Sequence, residues 1–109
     1  MSKYHAIRTQ IDGIKFASKK EAQRYLELKL MQKAGVIKDL RMQVPFILIE
    51  KSEYGRQVKY IADFTYYENH QNGIWKNYVV EDTKGFRTDV YKLKKRMLAE
   101  KYGIVIKET

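Results

Sequence analysis

Asp82-Thr83-Lys84 presents a carboxylate and an ammonium group two residues apart. On a β-strand that spacing sends both side chains to one face, and Gly85 beside them leaves space for a backbone or a ligand to approach. A second acid, Asp63, falls inside a strand-like run, where aspartate is depleted and costly without a partner. Two aspartates brought close together repel unless a cation sits between them, and Mg2+ prefers oxygen ligands of this kind. Glu21, at the start of the first helical run, can supply a further oxygen or an outer contact. The chemistry expected of such a centre is phosphodiester hydrolysis. Asp63 and Asp82 would hold a metal that polarises the phosphoryl oxygen and acidifies a water, while Lys84 orients that water or neutralises charge developing at phosphorus. Lys84 is not read as a general base, because a free lysine is protonated at neutral pH. One metal ion and two are both compatible with this donor set.

Every one of these residues also has a purely structural reading. Ser18 and Glu21 have the spacing of a capping box, in which the glutamate bonds back to the helix start. Asp82 and Lys84 are compatible with an ion pair at a strand end. Glu81 points away from Asp82 and reads as a surface or supporting residue, unless a small bulge exchanges their roles.

The elements that must carry these groups follow from periodicity. Ile7, Thr9 and Ile11 alternate up to Asp12-Gly13, and Ile14 and Phe16 resume the pattern, which predicts a hairpin or extended arm. Ser18 then caps a helix expected over residues 19–34, with Ala22, Tyr25, Leu26, Leu28, Leu30 and Met31 as its apolar stripe and Gly35 as its stop. Glu21 shares a face with Tyr25 and Leu28, at the edge of that stripe. After a polar link, residues 44–49 read as a strand with Pro45 at an edge or entry position. The strand expected over 57–67 places Val58, Tyr60, Ala62, Phe64 and Tyr66 on one face and Asp63 on the other. A polar turn over 68–73 leads to a strand over 74–83 that carries Asp82. Thr88-Asp89 starts a last helix, with Val90, Leu93, Met97 and Leu98 inward and Lys92, Lys95 and Arg96 outward. Residues 104–106 are a short β-branched run, expected as a final strand. The order implies a single α/β domain over 1–109, with residues 1–15 as the arm and a mixed sheet behind the acids.

The runs Ser18-Lys19-Lys20-Glu21, Ile61-Ala62-Asp63-Phe64 and Val79-Val80-Glu81-Asp82-Thr83-Lys84-Gly85 together resemble the PD-(D/E)xK nuclease superfamily. The likeness is to its small phage-encoded endonuclease and Holliday-junction-resolvase-like branch, and it extends over about residues 16–102. The resemblance implies a restriction-endonuclease-like core with a mixed sheet flanked by helices, Mg2+ or Mn2+ as cofactor, and cleavage of double-stranded or branched DNA. Glu21 matches the helix acid, Asp63 and Asp82 the strand acids, and Lys84 the lysine that assists the attacking water. Ala62 stands where the family's motif has proline. Gln43 is a candidate polar accessory.

Composition agrees with a polyanionic partner. Twenty-two Lys and Arg against 13 Asp and Glu leave a net charge of +9, which attracts phosphate backbones and releases their counterions. Candidate DNA contacts are Lys19, Lys20, Arg24, Arg87, Lys92, Lys95 and Arg96, and Tyr66, Tyr67 and Trp75 are placed either to stack on a base or to pack. A non-catalytic, basic DNA-binding accessory and a protein-interaction module are the competing functions, and a homodimer is expected because many junction and double-strand cutters need two centres. The absence of cysteine excludes disulfides, thiolate zinc sites and cysteine nucleophiles. His5 and His70 read as surface residues. With no long apolar run and no apolar centre near the start, no membrane partner is expected and the location expected is cytoplasmic.

Overall fold

The computed structural model describes residues 9–83 and 86–109. Lys84, Gly85, His5 and Ile7 lie outside the described residues.

Strands β1 (Thr9–Ile11) and β2 (Ile14–Phe16) pair antiparallel around Asp12-Gly13, whose φ angles of 54° and 76° are the left-handed values that a tight hairpin needs. Helix α1 (Lys19–Lys33) follows. The Ser18 side chain caps it by accepting from the Glu21 N–H at 3.1 Å, which satisfies one of the first-turn donors. Then come strands β3 (Lys38–Ile49), β4 (Val58–Gln71) and β5 (Ile74–Asp82), helix α2 (Asp89–Tyr102) and a short strand β6 (Lys107–Glu108). The larger sheet runs β3-β4-β5-β6, antiparallel except for the parallel β5–β6 pair. This is a mixed α/β fold, consistent with the restriction-endonuclease-like core expected. No helix is long and apolar enough to cross a membrane among the described residues.

Strand boundaries depart from expectation where polar residues hide alternation. The link before residue 44 is already strand: β3 starts at Lys38, and Leu40 and Met42 pack against the core between polar neighbours. The edge position expected for Pro45 is confirmed, because β3 borders the sheet. The turn expected over 68–73 is strand as far as Gln71, and the reversal is confined to Asn72-Gly73, with φ of 51° and 79°. The last strand lies just beyond the expected 104–106, and Ile106 is instead a buried core residue.

Two apolar cores cover the sheet. α1 closes the first, where Phe16, Ala22, Tyr25, Leu28 and Ile37 meet Phe64 and Tyr66; α2 closes the second, where Tyr91 and Leu98 meet Leu48, Tyr60, Ala62, Val80 and Ile106. Val79 packs against the first and its neighbour Val80 belongs to the second, so the two cores lie on opposite faces of β5. The single face expected of Val58, Tyr60, Ala62, Phe64 and Tyr66 is thereby divided, and the division falls at Asp63. Opposite that point β3 has Gln43 at φ 55°, a left-handed residue that rotates the strand out of regular alternation.

The helices bury narrower stripes than their apolar patterns suggest. In α1 Leu26 and Leu30 are exposed and Glu21 is buried; in α2 Tyr91 and Leu98, seven residues apart, set the inward side, while Val90 and Leu93 face solvent. α2 meets the larger sheet, and α1 meets both that sheet and the β1–β2 hairpin; the rest of each circumference faces solvent.

Candidate active site

Three adjacent strands carry one polar residue each at neighbouring register positions, here called the row. Phe64 pairs with Glu81 in the β4–β5 ladder, so the next position places Asp63 opposite Asp82. Gln43 falls between the pairs Met42–Phe64 and Val44–Ala62, which places it opposite Asp63 on the other side. Glu21 joins the row from the first turn of α1, where its Oε1 accepts from the Gln43 side-chain amide at 3.1 Å. Glu21 and Asp82 are buried and Asp63 is half-buried. The face shared by Glu21, Tyr25 and Leu28 explains the glutamate's burial, since all three lie on the inward side of α1.

The two aspartates are fixed by different devices. Asp63 Oδ2 accepts the Thr83 N–H at 2.8 Å, which ties its carboxylate to the backbone just beyond Asp82. Asp82 Oδ2 accepts the Tyr60 hydroxyl from within the second core. Burial pushes the Tyr60 phenol well above its ordinary range, helped by the hydrogen bond to Asp82 and the negative charges of Asp82 and Asp63. Both carboxylates therefore act on the same hydroxyl. From the far side, the Thr109 N–H donates to the Asp82 carbonyl at 3.0 Å, and the Thr83 and Thr109 hydroxyls meet at 2.9 Å, so β6 clamps the end of the strand leading to Lys84.

Among the described residues, no three or more His, Cys, Asp or Glu side chains stand together so as to hold a metal ion. What the register brings together is the pair Asp63 and Asp82, with Glu21 linked to the row through Gln43. Mg2+ commonly takes one or two carboxylates and completes its shell with water and substrate phosphate, so a two-aspartate donor set fits a hard cation.

Glu81 turns the other way from its neighbour Asp82 and has a different task. It is completely buried, and Arg24 forks onto it with Nε–Oε2 at 2.6 Å and Nη2–Oε1 at 2.9 Å; the Tyr66 hydroxyl adds a third bond at 2.6 Å. Burial works against the charged form of Glu81, but Arg24 and Tyr66 outweigh it and leave its carboxyl below the ordinary range. The same pairing raises the Arg24 guanidinium further above its already high range. Arg24, expected to meet phosphate, is thus committed to Glu81 and, at 3.0 Å, to Glu27.

Other basic candidates are committed as well. Arg87 and Lys95 converge on Glu108 at 3.0 and 3.2 Å, and Arg96 pairs with Glu100 at 3.3 Å along α2. The Tyr91 hydroxyl, ahead of Arg87 and Lys95, holds Glu108 down to about 2. Lys19, Lys20 and Lys92 are exposed. Tyr66 is buried against Glu81, whereas Tyr67 packs beside Tyr78 and Trp75 beside His70 on the β4–β5 hairpin. Sequence reasoning missed Tyr60 and the Arg24–Glu81 pair. The signal for the first is a tyrosine three residues before Asp63, whose hydroxyl needs a partner once the ring is buried. For the second it is an acid inside Val79-Val80-Glu81, an otherwise apolar stretch, which requires a cation brought from elsewhere.

Comparison with curated proteins and with solved structures finds no match. A family model described as "Protein of unknown function (DUF1064)" matches residues 1–108, which is nearly the whole chain, and the protein therefore belongs to the DUF1064 family.

Proposed function

We propose that this protein is a metal-dependent DNA endonuclease that hydrolyses phosphodiester bonds at the row formed by Glu21, Gln43, Asp63 and Asp82. The observation that carries the reading is the register: one step beyond the Phe64–Glu81 pair, Asp63 and Asp82 come to opposing positions on β4 and β5, and Lys84 follows two residues after Asp82. Opposing carboxylates cost free energy unless something positive lies between or beside them.

Asp63 and Asp82 are the residues that would hold a divalent cation such as Mg2+ or Mn2+, which supplies polarisation of the phosphoryl oxygen and acidification of a bound water. Thr83 N–H and Tyr60 O–H fix the two carboxylates from outside the row, so neither has to reorganise when charge develops. Gln43 orients Glu21, which stands as an outer oxygen toward the same row. Lys84, two residues beyond Asp82, supplies an ammonium for the charge accumulating at phosphorus. The net charge of +9 favours DNA as the polyanion. A homodimer would bring two such rows to one duplex or junction, and sedimentation with and without DNA tests that arrangement.

The decisive experiment is cleavage of linear, nicked and four-way-junction DNA with Mg2+, with Mn2+ and with chelator. Wild type cuts only with metal, and Asp82→Asn and Asp63→Asn, which keep side-chain size and hydrogen bonding, lose at least about 100-fold in rate, on the scale of losing one charge-stabilising group. Equal cutting by wild type and Asp82→Asn would remove the proposal's basis.

A further inference from the structure

Beyond the acidic row, β4 and α2 border a cleft of about 340 Å³ lined by Lys59, Tyr60 and Ile61 of the strand and by Thr88, Val90, Tyr91 and Lys94 of the helix and its cap. The cleft begins at the row: Tyr60 forms part of its wall and donates its hydroxyl to Asp82. Along β4, Lys59, Ile61 and Asp63 follow at two-residue spacing, which places Lys59 roughly 13 Å of strand from Asp63. Lys94 approaches from the helix, one turn beyond Val90.

No acid is among the described residues that line this cleft. Arg24 and Arg96 each pair with a glutamate, and Arg87 and Lys95 share Glu108. Lys59 and Lys94 have neither an ion pair nor a side-chain hydrogen bond among the described residues. Two lysines lining one concavity that has no carboxylate in its lining raise the local potential and favour an anion long enough to reach both. Ile61 and Val90, both exposed, supply an apolar floor between the charges. A small, fully hydrated anion gains nothing from such a floor, whereas a phosphodiester backbone brings sugars between its phosphates.

We infer that this cleft is the track for the DNA strand on one side of the cut, with Lys59 and Lys94 contacting its phosphates. The inference rests on Asp63 and Asp82 being the reacting centre, and it assigns the phosphate contacts to two lysines that sequence reasoning had passed over in favour of Lys95, Arg96 and Arg87.

The test is fluorescence anisotropy of a labelled DNA duplex with full-length protein in chelator, titrated over a range of salt, with binding read apart from cleavage. Lys59→Gln/Lys94→Gln is compared with Lys33→Gln/Lys51→Gln, which removes the same charge from two exposed positions elsewhere. Loss of two phosphate contacts reduces the slope of log affinity against log salt by about 1.8, and the control pair leaves it unchanged. Equal slopes for the two double variants overturn the inference. So does a result in which the Lys59/Lys94 variant loses affinity for poly-L-glutamate and not for DNA, since the cleft would then serve an acidic protein. A wild type that cuts DNA while the Lys59/Lys94 variant binds normally refutes the track alone; a wild type that never cuts, with the slope reduced in the Lys59/Lys94 variant and not in the control pair, refutes the catalytic reading and leaves the two phosphate contacts standing. Circular dichroism melting of both variants shows that they fold.

Discussion

Replacing Arg24 with methionine keeps most of the side-chain volume and removes the cation from Glu81. The structure sets the size of the effect. Glu81 is completely buried and Arg24 is 18% exposed, so two charge-assisted hydrogen bonds disappear and a carboxylate is left in the core with the Tyr66 hydroxyl as its main remaining support. Breaking one side of a buried ion pair costs about 3–5 kcal/mol, and the partial exposure of Arg24 with the retained tyrosine bond places this case near 3 kcal/mol. For a domain of this size that corresponds to a fall in Tm of about 15 °C. Adding Glu81→Gln to Arg24→Met restores about 2 kcal/mol, because a neutral amide still accepts from Tyr66 and needs no counter-ion. Thermal and urea unfolding of the two single variants and the double variant give both numbers. A loss below about 1 kcal/mol for Arg24→Met, or a double variant no more stable than that single, would refute the account of Glu81 as a structural carboxylate. Cleavage adds a separate check: at a temperature where it is folded, Glu81→Gln retains activity, whereas Asp82→Asn does not.

Three further outcomes follow from other contacts. Tyr60→Phe removes the hydroxyl held by Asp82, lowers stability by about 2 kcal/mol, and reduces kcat about tenfold with little change in KM; an unchanged kcat from steady-state cleavage would contradict a positioning role. Ser18→Ala removes the cap of α1 and costs about 1 kcal/mol, measured by urea unfolding, with a smaller loss if Ser18 were not accepting the Glu21 N–H. The β1–β2 hairpin is tied to α1 by Asp12, which accepts from Tyr25 and Lys29. The Lys29 hydrogen bond, then that of Tyr25, lowers the Asp12 pKa below 3.8, so this tie is complete above 3.8 and is lost as pH falls through the lowered value. Asp12 raises the Lys29 pKa above 10.5, so the lysine's share is complete below 10.5 and is lost as pH rises through the raised value. The protection of the Thr9–Phe16 hairpin amides, taken relative to the intrinsic exchange rate at each pH, is therefore greatest between those limits, and protection that does not change with pH would show that the ion pair does not hold the hairpin.

The two aspartates were easier to single out than the architecture around them. Asp63 and Asp82 stand out in sequence because each is an acid inside an alternating strand, and they lie one step beyond the Phe64–Glu81 pair on adjacent strands. The two-core arrangement was not legible, because the break in alternation at Asp63 arises from Gln43 on a neighbouring strand, which no periodicity within β4 records. Helix faces were overestimated for a related reason: Leu26, Leu30, Val90 and Leu93 fit an apolar stripe, yet the surfaces that α1 and α2 meet leave them outside. The Asn72-Gly73 reversal was readable and was obscured by the polar residues before it, which a solvent-facing hairpin tolerates as strand. The ion pairs of Arg24 and Glu108 join residues 57, 21 and 13 positions apart, as 24–81, 87–108 and 95–108, so no local pattern could show which basic residues remain available to a ligand.

Adjacent acids with opposite fates show why register matters here beyond stability. Glu81 and Asp82 differ by one position, and a one-residue slip of β5 would exchange their faces. The longer glutamate side chain suits the α1 face, where it reaches both the Arg24 fork and Tyr66; the shorter aspartate suits the position opposite Asp63, under Tyr60. A slip would leave Arg24 without its carboxylate and put the glutamate where the row is closely spaced, so the cost of the wrong register is paid twice. Three features oppose it: the Asn72-Gly73 turn fixes the β4–β5 pairing at one end, the Asp63–Thr83 bond fixes it at the other, and β6 holds the Asp82 carbonyl through Thr109. The Arg24–Glu81 pair is thus more than a core contact. By making one acid unable to leave its face, it determines which acid is presented beside Asp63.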